Sequence, residues 1–195
     1  MYLTYGCRPL WIVKFCWVLI VLWIMAVDVL NVQAQSQELP EYAVKAAFIY
    51  KFTKFVDWPA QAFADPKEPF SICVLGKDPF GNVLDQIFSG KTVNGREPVV
   101  KRSNSVEELK RCHILFISSS EKKRLARIIE VIKFAGILTI GDMDQFAESG
   151  GIIGLNEQDK KINIEINVDA VKRSDLKISS KLLIIGKTVS DGTAR

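Results

Sequence analysis

Histidine is almost missing from this chain, with His113 the single one in 195 residues. Any Ser-His-Asp or Cys-His arrangement must therefore use His113, which follows Cys112 and opens an apolar run. That setting suits a core or strand-edge residue better than a general base. Metal binding is poorly served too, because no second ligand cluster accompanies Cys112 and His113. Phosphate-binding loops are lacking. Gly90-Lys91-Thr92 and Gly186-Lys187-Thr188 resemble the end of such a loop, but the glycine needed five positions earlier is replaced by Asp85 and Lys181. Gly150-Gly151-Ile152-Ile153-Gly154 leads into a strand-like run rather than a helix, so it is no dinucleotide fingerprint. No catalytic residue, cofactor or metal is assigned, and the chain reads as a non-enzyme.

A concentrated basic stripe is missing as well. The net charge is +4, too mild to argue for nucleic acid. Lys122, Lys123, Arg124 and Arg127 do cluster, on the polar side of an expected helix, where a solvated face is the reading. Long hydrophobic runs occur only at the N-terminus. There Arg8 and Lys14 flank an uninterrupted apolar stretch from Phe15 to Val27, closed by Asp28, and Val32-Gln33-Ala34 offers the small residues a signal peptidase accepts. The run is shorter than the roughly 20 residues of a spanning helix. Residues 1–34 are therefore expected to be a cleavable signal peptide, with an N-terminal membrane anchor as the alternative. Cys16 lies inside the apolar run, so no lipobox is present. Cleavage removes Arg8, Lys14 and Asp28 and leaves 24 basic against 21 acidic residues, a net charge of +3.

Cysteine is scarce, and its placement is informative. Cys7 and Cys16 leave with the signal segment, and Cys73 and Cys112 remain. In an oxidising compartment an isolated pair reads as a disulfide, two unpaired buried thiols being the alternative. Closing a loop of about 40 residues contributes about 3–4 kcal/mol on the chain-entropy account.

After a polar leader (35–39), Pro40 opens a helix whose apolar positions Val44, Ala47, Phe48, Phe52, Phe55 and Val56 keep helical spacing through Trp58, where Pro59 stops it. This helix is aromatic around more than one face, which fits either core packing or a partner or dimer surface. Strands and helices then alternate. Phe70–Leu75 is a strand, and Asp78-Pro79 caps a helix through Phe88. Asn94-Gly95 marks a turn between short extended pieces, and Ser105 to Glu108 starts a short helix as a capping box. His113–Ile117 is a strand, and Ser118 to Glu121 is a second capping box for a helix to about Ala135, ended by Gly136. Ile137–Ile140 is a strand, and Gly141-Asp142 leads a short helix ending at Gly150-Gly151. Ile152–Leu155 and Ile162–Val168 form a hairpin around residues 156–161, the second strand alternating apolar and polar side chains. Asp169–Asp175 is helical. Ser179 caps a last segment, Lys181–Val189, taken as helix, and residues 191–195 are a tail. The fold class is a single layered α/β domain (40–190) with a mixed, largely parallel sheet flanked by helices. Open α/β sheets bind ligands beyond their carboxyl edge, so Asp78 and Asp142 are the candidate pocket residues, with helix capping as the plainer role.

Several segments carry a family resemblance. The run from Tyr42 to Pro59 (Tyr-Ala-Val-Lys-Ala-Ala-Phe-Ile-Tyr-Lys-Phe-Thr-Lys-Phe-Val-Asp-Trp-Pro) resembles the opening signature of the YfiR-like periplasmic regulators. Phe70–Gly76, Gly136–Asp142, Gly150–Ile153, Ile162–Asn167 and Leu176–Leu183 match in the same order, so the likeness covers residues 40–190. The resemblance implies a periplasmic protein that binds the periplasmic region of an inner-membrane diguanylate cyclase and represses it, lowering cyclic-di-GMP. It also implies an outer-membrane lipoprotein as a second partner. Cys73 and Cys112 match the family's structural disulfide; a C-terminal cysteine pair of some relatives is missing here, which leaves redox sensing through that pair unsupported. Partner contact in the family maps to residues 165–183, and Glu165, Val171, Leu176 and Ile178 are carried over as candidates. The alternative function is a periplasmic small-molecule-binding sensory domain using Asp78 and Asp142.

Overall fold

The computed structural model describes residues 41–159 and 161–192. The expected signal peptide, the leader and residues 193–195 lie outside them. Among the described residues no helix is long and apolar enough to cross a membrane.

The first helix, α1 (41–52), places Lys45, Ala46, Ile49 and Phe52 on one inward stripe, the i, i+3/i+4, i+7 spacing of a core-facing helix. It ends six residues earlier than the apolar spacing suggests. The Thr53 hydroxyl donates to the Tyr50 carbonyl at 2.7 Å, and the amides of Thr53, Lys54 and Phe55 bond three residues back, which tightens and closes the last turn. Residues Val56–Asp57 (β1) then pair antiparallel with Lys177–Ile178 (β8). That long-range ladder, not a local signal, converts the end of the expected helix into strand.

The main sheet has seven strands in the order β3-β2-β4-β5-β6-β7-β9: β2 Phe70–Leu75, β3 Pro98–Ser103, β4 Ile114–Ile117, β5 Leu138–Gly141, β6 Ile153–Gln158, β7 Lys161–Asn167 and β9 Lys187–Val189. The first five of that order run parallel. Strand β7 returns antiparallel to β6, and β9 runs parallel to β7. The fold is thus α/β with a mixed, largely parallel sheet. Flanking it are α2 Val83–Phe88, α3 Leu125–Ile132, α4 Val168–Arg173 and α5 Ser180–Ile185.

Strand alternation sorts the interior into two layers. Phe70, Ile72, Val74, Ile114, Phe116, Leu138 and Ile140 face a large core shared with α1, Phe80, Leu84 and Leu182. Their neighbours Cys73, Leu75, Leu115 and Ile117 face a smaller one under α3, with Cys112, Met143 and Phe146.

Several local expectations are corrected. The helix after Asp78 begins only at Val83, because Asp78 accepts from the Phe80 amide at 2.8 Å and so closes a turn rather than a helix. Ser105 caps nothing; a short 3-10 turn, Glu107–Leu109, stands there instead. Ser118 does cap, accepting from Ser120, but the first six residues are 3-10 before α3. Residues 142–150 form turns, not a helix, built around Phe146, whose ring lies where a Cβ on Gly141 or Gly151 would meet it at 2.4 and 2.2 Å. Only glycine at both positions leaves that space. The final segment divides between α5 and β9, with Gly186 between them.

Candidate functional site

The carboxyl edge of the parallel strands is the first place to look, since the chain leaves β2 toward β3 on one side and β4 lies on the other. The loops that flank this switch point are laced together. The Lys77 amide donates to the Ser120 hydroxyl at 3.0 Å. Gly76, at φ +89°, packs so closely that a Cβ there would lie 2.5 Å from Ser120 Oγ and 2.8 Å from Glu121.

Both candidate acids at this edge are engaged by side chains. Asp78 accepts from Arg102 Nε at 2.6 Å. The same guanidinium reaches Asp85 and the Gly81 carbonyl. Hydrogen bonding to Arg102 holds the Asp85 carboxyl below its usual range, and the pairing raises Arg102. Asp142 sits deeper, with 3% of its side chain exposed, beside the equally buried Lys45. Tyr42 Oη donates to Asp142 Oδ2 at 2.7 Å, while Lys45 Nζ lies 3.5 Å from the same oxygen and bonds Glu41. Among the described residues Asp142 Oδ1 has no hydrogen-bond partner. This cluster ties the first turns of α1 to the end of β5. Asp78 and Asp142 thus each belong to a separate ionic group.

The carried-over residues 165, 171, 176 and 178 occupy different surroundings. Ile164 and Ile166 face the large core, so Glu165 between them points to the opposite side of the sheet, where it accepts from Asn156 at 3.2 Å and lies 3.7 Å from Lys187 Nζ. Val171 and Ile178 pack, half-buried, against the large core, and Leu176 is buried within it. Sequence spacing missed the feature next to them. In α5, Leu182 turns fully inward, leaving Ile184 81% and Ile185 57% exposed. A six-residue helix capped by Ser179 offers one inward stripe, and two consecutive isoleucines beyond it have no core to enter. The run of four apolar residues, Leu182–Ile185, was the available signal.

A polar clamp holds this C-terminal unit. Asn167, fully buried, accepts from the Asp169 and Ala170 amides at 2.9 Å and donates to the Ala147 carbonyl and to Asp191, both at 2.6 Å. Arg173 completes the clamp at 2.5 Å from Asp191. Burial pushes the Asp191 carboxyl up, but its bonds from Arg173 and Asn167 outweigh that and leave it below the usual range.

Cys73 and Cys112 are joined in a disulfide, closing a sequence separation of 39 under α3. His113, 1% exposed, is stacked between Phe63 and Phe70 at 4.3 and 4.8 Å. Its Nδ1 accepts from the Ser71 amide at 3.0 Å, and burial pushes its pKa down. It is a packed interior residue.

Residues 42–187 match the family model YfiR/HmsC-like (DUF4154). No curated protein matches the chain. Several solved structures resemble it, two of them at the low identities that follow. A conserved domain protein from Vibrio cholerae O1 biovar El Tor is 12% identical with a TM-score of 0.48, over 61% of this chain and 54% of that one. The ligand-free, open form of a substrate-binding protein with adhesive properties from Clostridium difficile is 13% identical with a TM-score of 0.44, over 67% of this chain and 57% of that one. The chain therefore spans little more than half the length of those two structures. The family match runs from the Tyr42 that anchors Asp142 to the first residue of β9; the chain belongs to the YfiR/HmsC-like family.

Proposed function

We propose that this protein is a periplasmic regulator that works by binding, repressing a membrane-bound signalling enzyme of the diguanylate cyclase class. Family membership supports the regulatory role. The observation that carries the binding mode is the exposed Ile184-Ile185 pair on α5. Large exposed apolar side chains grouped at one site mark contact surfaces, and α5 is tied down on both sides, by the Ser179 amide donating to the Phe55 carbonyl before it and by β9 pairing with β7 after it. Val171 and Ile178, half-buried against the same large core that takes Leu182 of α5, are candidates for the same surface, and Leu176 is buried within that core. An N-terminal segment with a signal-peptide layout accounts for delivery to the compartment.

In a strain lacking the gene, cyclic-di-GMP should rise, and the parent sequence should restore the low level. The Ile184→Asp variant, exported and folded to the same extent, restores little of it. Full restoration by that variant would remove α5 from the mechanism. Unchanged cyclic-di-GMP on deletion would remove the cyclase.

A further inference from the structure

The surplus charge of the domain is local. Residues 119–134 hold Lys122, Lys123, Arg124, Arg127 and Lys133 against Glu121 and Glu130, an excess of three positive charges. The rest of residues 41–192 balances, with eighteen basic against eighteen acidic side chains. Within the segment, Glu121 pairs with Arg124 and Glu130 with Lys133. The side chains of Lys122, Lys123 and Arg127 are exposed and have no hydrogen-bond or ion-pair partner among the described residues.

Of these, Arg127 lines a groove of about 340 Å³ between the loop at Asn104–Glu107 and α3, and Lys122 and Lys123 immediately precede Arg124, which lines it too. Its apolar lining is Val106, Ile128 and Val131; Arg124 and Arg127 line it on the helix side and Glu107 on the loop side. Ile128 is buried, while Val131 is 38% exposed and Phe134, one turn further along, 69% exposed. α3 belongs to the smaller core, so this groove lies across the sheet from Leu182 and the α5 surface.

We infer that this groove is a second interaction surface, one that takes an acidic polypeptide segment carrying an apolar side chain. The apolar side chain fills the recess over Ile128 and Val131. Carboxylates flanking it lie along the helix side, away from Glu107, and meet Arg127, Lys122 and Lys123, a guanidinium binding carboxylate in a two-point fork. A recessed apolar floor with charges around it suits a chain segment better than a flat lipid surface, which calls for a protruding apolar face. The inference goes beyond the proposed repression and does not depend on it.

The test uses protein expressed from the full sequence and three fluorescein-labelled nonapeptides. One has a Leu-Phe-Leu centre flanked by three glutamates on each side, one has the same centre flanked by serines, and one is all glutamate. The first should bind at least tenfold more tightly than either other and weaken at least fivefold between low and high salt, as exposed charges are screened. Changing Lys122→Glu, Lys123→Glu and Arg127→Glu together should lower that binding at least tenfold with the melting temperature unchanged. Amide shift mapping on the parent protein needs no variant, and its footprint should fall on residues 104–107 and 122–134. Equal binding of the three peptides, a footprint elsewhere, or indifference to the triple charge reversal overturns the inference. So does recruitment to phosphatidylglycerol vesicles without peptide binding, which assigns the face to lipid.

Discussion

On one side of the seven-stranded sheet lie Phe52, Phe70, Phe80, Phe88 and Phe116, with aliphatic residues from six strands, β1 included, and four helices. On the other lie the Cys73–Cys112 disulfide, one short helix and a turn region centred on Phe146. The first side has enough apolar area to hold itself together. The second has less, and it adds a covalent link and a ring wedged between Gly141 and Gly151. The surfaces differ in kind as well. Across the large core the exposed feature is an apolar pair on α5, whereas over the small core it is a cationic groove. The lesson is that the two sides of this sheet are stabilised by different means and offer different chemistry to partners.

The sharpest way to break that comparison is to truncate one aromatic on each side. Phe116 and Phe146 are both fully buried. Phe116→Ala should cost about 4–5 kcal/mol, because strands on both flanks prevent collapse. Phe146→Ala should fall nearer about 3 kcal/mol, since turns relax more readily than a central strand. Urea unfolding measures both, and equal costs would erase the distinction. Next in size is the covalent link. Cys73→Ser should lose about 3–4 kcal/mol against the oxidised parent and nothing against the reduced one. Equal melting under non-reducing conditions would show that the small core stands without it.

A third change probes the ionic bridge from α1 to β5. Lys45→Met leaves Asp142 buried without its cation and should cost about 3 kcal/mol. Adding Asp142→Leu should restore part of that loss, because the deeply buried charge is then gone and only the partly exposed Glu41 is left without its cation. A double variant worse than the single would mean that the cluster does not act as a pair. Smaller still is the C-terminal clamp, where Asp191→Asn should cost about 1 kcal/mol, discounted for its partly exposed partner Arg173.

The pH dependence of the interior follows from His113. Burial holds its pKa below the ordinary 6.5, so the unfolded chain takes up the proton first. Its contribution is fully present above that value and is lost as pH falls through the folded pKa. His113→Asn should flatten the loss of stability from pH 6.5 downward, as read by melting curves across that range. An unchanged slope would assign the acid sensitivity to the carboxylates.

Much of the fold was legible because its signals are local. The alternation of Ile162, Ile164 and Ile166 with polar neighbours fixed both the strand and its buried face, and the pair Asn94-Gly95 does turn the chain, at φ 51° and 76°. What escaped depended on contacts distant in sequence. Val56-Asp57 reads as helix until Lys177-Ile178 pairs with it. Gly141 to Gly151 reads as helix until Phe146 is seen to require both flanking glycines. Asp78 and Asp142 carried a ligand reading because Arg102, 24 residues away, and Lys45, 97 away, are not visible as their partners in a linear scan. The Ile184-Ile185 exposure was hidden by the opposite problem, since four apolar residues in a row do not say which of them the core accepts.

The most direct measurement of the central claim places a photo-crosslinking amino acid at position 184 or, as a control, at the exposed edge-strand position 101, in intact cells. The account predicts an adduct with an inner-membrane signalling enzyme from position 184 and not from 101. Adducts with no such enzyme from position 184, or equally from both positions, would contradict it.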